Sequence, residues 1–135
     1  MDKEILRQVA LGLRKADLVL KNCRIVNVFS GSIDCGDIAV AEGMVAGIGK
    51  YEGNEEHDMC FSYVAPGFID GHVHIESSML SPAQFAKVVL PFGTTSVIAD
   101  PHEIANVSGL SGIRFMLESA EGVPLDVYVM IPSCV

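Results

Sequence analysis

Ile5, Leu6, Val9 and Leu13 recur at helical spacing, and Asp2 stands where an N-cap belongs. Residues 1–15 are therefore predicted to hold a short amphipathic helix. From Ala16 the period shortens. In "DLVLKNCRIVNVFSGSIDCGDIAVAEGMVAGIGK" the β-rich runs Leu18–Leu20, Arg24–Phe29, Ile38–Val40 and Met44–Ile48 are separated by Lys-Asn, Ser-Gly-Ser, Cys-Gly-Asp and Ala-Glu-Gly, which are hairpin and turn signals. This pattern predicts a small antiparallel, sandwich-like β domain over residues 16–63. Within it "KYEGNEEHDM" is polar and acidic, which predicts a loop carrying a solvent-exposed His57.

The grammar changes again beyond residue 63. "FSYVAPGFID", "TTSVIAD" and "LDVYVMIPSCV" are largely apolar runs, as expected of strands buried on both faces of a parallel sheet. Between the first two lies "SPAQFAKVVLPFG", a helix with Ser81 as cap, Pro82 in the first turn and Gly93 at the end. Between the second and third lies "SGLSGIRFMLESAEG", with Leu110, Ile113, Leu117 and Ala120 on one helical face. Strand, helix, strand, helix, strand makes residues 64–135 a βαβ-type α/β domain. Met79 and Leu80 are expected to pack.

Half of the 135 residues are hydrophobic, and the mean hydropathy is +0.39. No apolar stretch approaches the roughly 20 residues of a membrane span, so no membrane is expected as partner. The excess of apolar residues suits a core larger than this chain can enclose. The net charge of −8 argues against a nucleic-acid partner, because phosphate backbones are bound by clustered Lys and Arg. The first residues lack the apolar core of a signal peptide, which points to the cytoplasm. Cys23, Cys35, Cys60 and Cys134 show no CxxC spacing and are expected as free thiols.

The chemistry concentrates in "APGFIDGHVHIESSML" and "ADPHEIANV". Side chains alternate along a strand, so Asp70, His72 and His74 share a face, with both histidines at the C-terminal end where parallel α/β proteins place ligands. Two imidazoles at i and i+2 can converge on one ion at roughly 2.0–2.1 Å. Asp70 is placed to brace an imidazole, and Gly67 and Gly71 permit close packing behind. Asp100, His102 and Glu103 follow the second strand and belong at the same rim, where Asp100 can equally cap a helix. Ser133 and Cys134 end the third strand. Ser77 and Ser78 either cap or contact a ligand.

"PGFIDGHVHIESS" resembles the first-strand motif of the amidohydrolase superfamily, PGxIDxHxH. The continuation "HIESSML", with "ADPHEIANV" and "PSCV", is similar to the adenine deaminase family within it. The resemblance implies the start of a (β/α)8 metallo-dependent hydrolase barrel, its first three strands, after a small β domain and an N-terminal helix. It implies a binuclear divalent site, with Mn2+ first and Fe2+ or Zn2+ as alternatives, in which His72 and His74 are metal ligands. A metal-bound hydroxide would attack C6 of adenine to give hypoxanthine and ammonia in purine salvage. Glu76, Asp100, His102 and Glu103 would lie beside the substrate or around the metal's own ligands. The whole enzyme would be a homo-oligomer. Such barrels need about 250 residues, and the later ligands are missing here, so the expectation is an amino-terminal portion that is inactive by itself. The alternatives are another amidohydrolase acting on a cyclic amide or N-acetyl sugar, and a non-catalytic remnant or partner subunit.

Overall fold

The computed structural model describes residues 1–132, which form two compact units divided between Pro66 and Gly67. The first unit opens with helix α1 (Lys3–Ala10), whose first turn is capped by the Asp2 carboxylate through the amides of Glu4 and Ile5. Val9 is its one fully buried side chain and packs with Ala16, Val19, Ala39 and Ala41. Five strands follow: β1 (Ala16–Asn27), β2 (Ser32–Ala41), β3 (Met44–Gly49), β4 (Gly53–Asp58) and β5 (Tyr63–Val64). They make one sheet in the order β3-β2-β1-β4, with β5 also on β1.

That sheet corrects three expectations. It is mixed rather than antiparallel, because β4 and β5 both run parallel to β1. It is one sheet rather than two facing ones, among the described residues. And the acidic segment read as a loop is strand β4, with His57 exposed and 2.6 Å from Glu55. An edge strand needs only its backbone to pair, so charged side chains facing water hide it from a hydrophobicity pattern. The bulge between Leu20 and Cys23, with Asn22 at φ 56°, is where β1 exchanges β4 for β5.

Beside this bulge sits Asp37, a carboxylate only 8% exposed. It accepts from Lys21 Nζ at 2.7 Å and the Asn22 amide at 3.0 Å, with the Tyr51 amide at 3.5 Å. Burial pushes the Asp37 carboxyl up, but the Lys21 ammonium and the two amides outweigh it and hold it below the usual range. A depressed folded-state pKa stabilises fully above the unfolded value of about 3.9, and that stabilisation is lost as pH falls through the folded one. Asp37→Asn is thus expected to cost about 1–3 kcal/mol at pH 7 and progressively less below pH 4. Urea titrations of parent and variant at the two pH values check this.

The second unit holds three parallel strands, β6 (Phe68–Val73), β7 (Thr94–Ala99) and β8 (Asp126–Val129), in that spatial order. Helix α2 (Pro82–Val89) joins the first pair, and α3 (His102–Ala120) joins the second. Leu90–Phe92 extends α2 as a 3-10 turn that stops at Gly93, φ 92°. Ile75, Ala86, Val97, Ala99, Met116 and Leu125 form the core.

Here too the pattern misled in places. β6 is largely exposed rather than buried: its paired neighbour is β7, and Phe68 and Ile69 are more than half exposed. Helix α3 starts six residues before the predicted stretch, at His102, and kinks at Gly109. Its buried positions are Ala105, Gly112 and Met116, while Leu110 and Leu117 face outward. Gly112 shows why: a Cβ there would come within 2.7 Å of Ile104, so the close approach selects the small residue and turns the leucines away. Ser81 occupies the N-cap of α2 but makes no side-chain cap bond. Met79 does not pack; it is 93% exposed at φ 58°.

Candidate metal centre

The rim of the second unit is built by two chain exits. After β6 the chain passes through His74 into a 3-10 turn, Ile75–Ser78, anchored by the fully buried Ile75. After β7 it passes through Asp100 and the buried Pro101 into α3. The Asp100 amide donates to the Val73 carbonyl at 2.9 Å, which holds the exits side by side.

This brings all six sequence-predicted residues into one cluster. Nε2 of His72 and Nε2 of His74 lie 3.1 Å apart. His74 Nδ1–H donates to the Asp100 carbonyl at 2.9 Å, which leaves Nε2 with its lone pair free. His102 Nδ1 stands 3.5 Å from Asp100 Oδ2 and 4.0 Å from Glu103 Oε2. Glu76 Oε1 accepts from the Ile104 amide at 3.3 Å, inside the first turn of α3. His72, His74 and Asp100 have donor atoms within 4.8 Å of one another, and so do His74, His102 and Glu103.

The donor set fits a divalent cation. Two imidazole nitrogens 3.1 Å apart subtend roughly 95–100° at an ion placed 2.0–2.1 Å from each. In addition, Glu76 Oε2, Asp100 Oδ1 and Glu103 Oε2 are buried without a hydrogen-bond partner. Buried carboxylate oxygens without partners are costly, and positive charge nearby relieves that cost. Burial raises the Glu103 carboxyl, but hydrogen bonds from Ser77 and its own amide, its contact with Glu76 and the nearby His102 outweigh this and hold it below the usual range.

Some supporting roles differ from the sequence reading. Asp70 braces no imidazole; its carboxylate accepts the His72 backbone amide at 3.1 Å. Gly67 does make a close approach, since a Cβ there would lie 2.1 Å from Thr95 Oγ1, whereas Gly71 has open space. Ser78 closes its turn on the Ile75 carbonyl at 2.6 Å, while Ser77 reaches across to Glu103 Oε1 at 2.9 Å. Sequence alone left the Ser77 partner open, because the pair spans two exits 26 residues apart. Ser133 and Cys134 lie outside the described residues; among the described residues Cys23, Cys35 and Cys60 form no disulfide.

Parallel strands ending in paired histidines and carboxylates make a candidate divalent-metal site, and comparison with known proteins gives the family that carries it. Residues 63–135 match the model of the amidohydrolase family, and the chain belongs to that family. Over 128 residues it is 56% identical to adenine deaminase 2 of Carboxydothermus hydrogenoformans, covering 95% of this chain and 22% of the relative. It is 63% identical over 121 residues to an adenine deaminase of Geobacillus kaustophilus, covering 90% and 21%. An adenine deaminase of Clostridium acetobutylicum is 59% identical over 126 residues, with 93% and 22% covered. The chain thus spans about a fifth of the length of these relatives. Among solved structures, N-acyl-D-glutamate deacylase of Bordetella bronchiseptica, complexed with zinc and a phosphonate inhibitor, superposes with TM-score 0.51 at 27% identity over 64% of this chain and 19% of that one.

Proposed function

We propose that these residues belong to an adenine deaminase, which hydrolyses adenine to hypoxanthine and ammonia. The observation that carries this reading is the convergence of the His72 and His74 Nε2 atoms at a strand-end rim, in a chain so similar to adenine deaminases. In this reading β6, β7 and β8 are the first three strands of a (β/α)8 barrel, whose sites lie at the C-terminal ends of its strands. His72 and His74 hold one ion of a binuclear divalent site, Mn2+ first and Fe2+ or Zn2+ as alternatives, with Asp100 close enough to share it. When bound, the metal pair supplies a hydrolytic water acidified toward neutral pH.

The chain's own residues then bind and orient. Glu76, Ser77, Glu103, Ile104 and Val107 line a concavity of about 260 Å³. Its apolar wall suits a flat base, and the unpartnered Glu76 Oε2 suits an N–H of a purine edge. Free adenine needs no duplex to be opened. A cytoplasmic location rests on the first residues, which lack the apolar core of a signal peptide. Among the described residues no helix is long and apolar enough to cross a membrane. Homo-oligomeric assembly rests on the family resemblance alone.

The test is ammonia release by the native polypeptide loaded with Mn2+, offered adenine, a cyclic amide and an N-acetyl sugar in parallel. Adenine is expected to be the one substrate turned over. Turnover of the cyclic amide or the sugar with adenine untouched overturns the reading.

A further inference from the structure

His74 has two ring nitrogens and more than two claimants. Nε2 faces His72 at 3.1 Å, and Nδ1 faces the Asp100 carbonyl at 2.9 Å. The Glu103 Oε2 atom lies 3.0 Å from the same Nδ1, yet off the axis of its N–H, so that oxygen is buried with no hydrogen bond. The two donor groupings at this rim both use His74, and one neutral imidazole cannot give both nitrogens to metal while Nδ1 carries a proton. The carbonyl bond decides it: Nδ1 holds the proton, and Nε2 is the ligand atom.

A carboxylate 3.0 Å from Nδ1 reinforces that choice, because negative charge beside an N–H favours the proton staying there. Glu103 is itself fixed. Ser77 Oγ donates to its other oxygen at 2.9 Å, and Glu76, next to Ser77, accepts the Ile104 amide, next to Glu103. Two reciprocal ties therefore join the turn after β6 to the start of α3.

We propose that Ser77 and Glu103 form a positioning pair that locks His74 in its Nδ1–H tautomer and so sets the affinity of the His72–His74 metal position. This inference rests on the metal reading above and gives Glu103 a role beyond lining the concavity. The buried Oε2 of Glu103, 3.0 Å from His74 Nδ1, is the charge that does the locking. The second donor grouping, His74 with His102 and Glu103, is then a support for the first and not another ion site.

The experiment is a titration of the metal-free native polypeptide with Co2+, read by its visible spectrum and by equilibrium dialysis. Glu103→Ala is expected to weaken Co2+ binding at the histidine pair about 10–100-fold, the usual effect of losing a group that supports a ligand histidine. Glu103→Gln, which keeps the shape and loses the charge, falls between. Ser77→Ala weakens binding in the same direction, and Ser77→Thr restores it. The melting temperature of the metal-free protein stays with the parent in all four. Co2+ affinity within twofold of the parent in Glu103→Ala overturns the proposal, as does a loss matched by a lower metal-free melting temperature and not rescued by Ser77→Thr. His72→Ala separates the levels: if it leaves Co2+ binding unchanged, the metal reading itself fails, whereas if it abolishes binding while Glu103→Ala stays within twofold of the parent, only the positioning pair fails.

Discussion

His72→Ala in the native polypeptide is expected to lower the rate of adenine hydrolysis by at least about 10³-fold. A divalent ion contributes several kcal/mol of transition-state stabilisation, and each 1.4 kcal/mol is about tenfold in rate. Removing one of two converging imidazoles leaves His74 as a single nitrogen donor on this side of the site. The fold is expected to be indifferent, because His72 is exposed and belongs to no core cluster. Loss of activity together with loss of bound metal, at an unchanged melting temperature, is the predicted pattern. Full activity in the variant contradicts the assignment of His72 as a ligand.

The second large effect is on stability. Ile75 stands between His74 and Glu76, has no exposed surface, and is among the largest fully buried side chains. It packs with Ala86, Val97, Ala99, Met116 and Leu125, so it pins the site-bearing turn to the core beneath. Ile75→Ala removes buried methylenes and leaves a cavity, for an expected loss of about 2–5 kcal/mol, whereas Ile75→Val costs about 0.5–1.5 kcal/mol. Denaturant unfolding of both variants measures this. Metal affinity should also fall in Ile75→Ala, since the turn that places His74 and Glu76 loses its anchor. A cost below about 0.5 kcal/mol for Ile75→Ala would mean that the turn is held by its hydrogen bonds and not by burial.

The gathering of the candidate residues was more legible in the sequence than the scaffold. His72, His74, Glu76, Asp100, His102 and Glu103 were identifiable because each follows an apolar strand run, and strand ends are where parallel α/β architecture gathers ligands. What periodicity could not supply was pairing between segments far apart. Strand β4 carries Glu55, Glu56 and His57 toward solvent and gives no apolar signal, yet its backbone completes the sheet. Leucines at helical spacing point to the wrong face of α3, because Gly112, lacking a side chain, is what admits Ile104. The partner of Ser77 lies across the chain fold, where no local rule reaches. Asp70 is spaced to brace an imidazole yet serves the backbone, a difference of one hydrogen bond that spacing cannot resolve.

The most direct test of the metal reading is anomalous diffraction from crystals of the Mn2+-loaded native polypeptide, collected at the manganese edge. The predicted result is a peak bound by Nε2 of both His72 and His74, with His74 Nδ1 still on the Asp100 carbonyl. A peak bound through Nδ1 of His74, or metal held elsewhere with this histidine pair unbound, would contradict it.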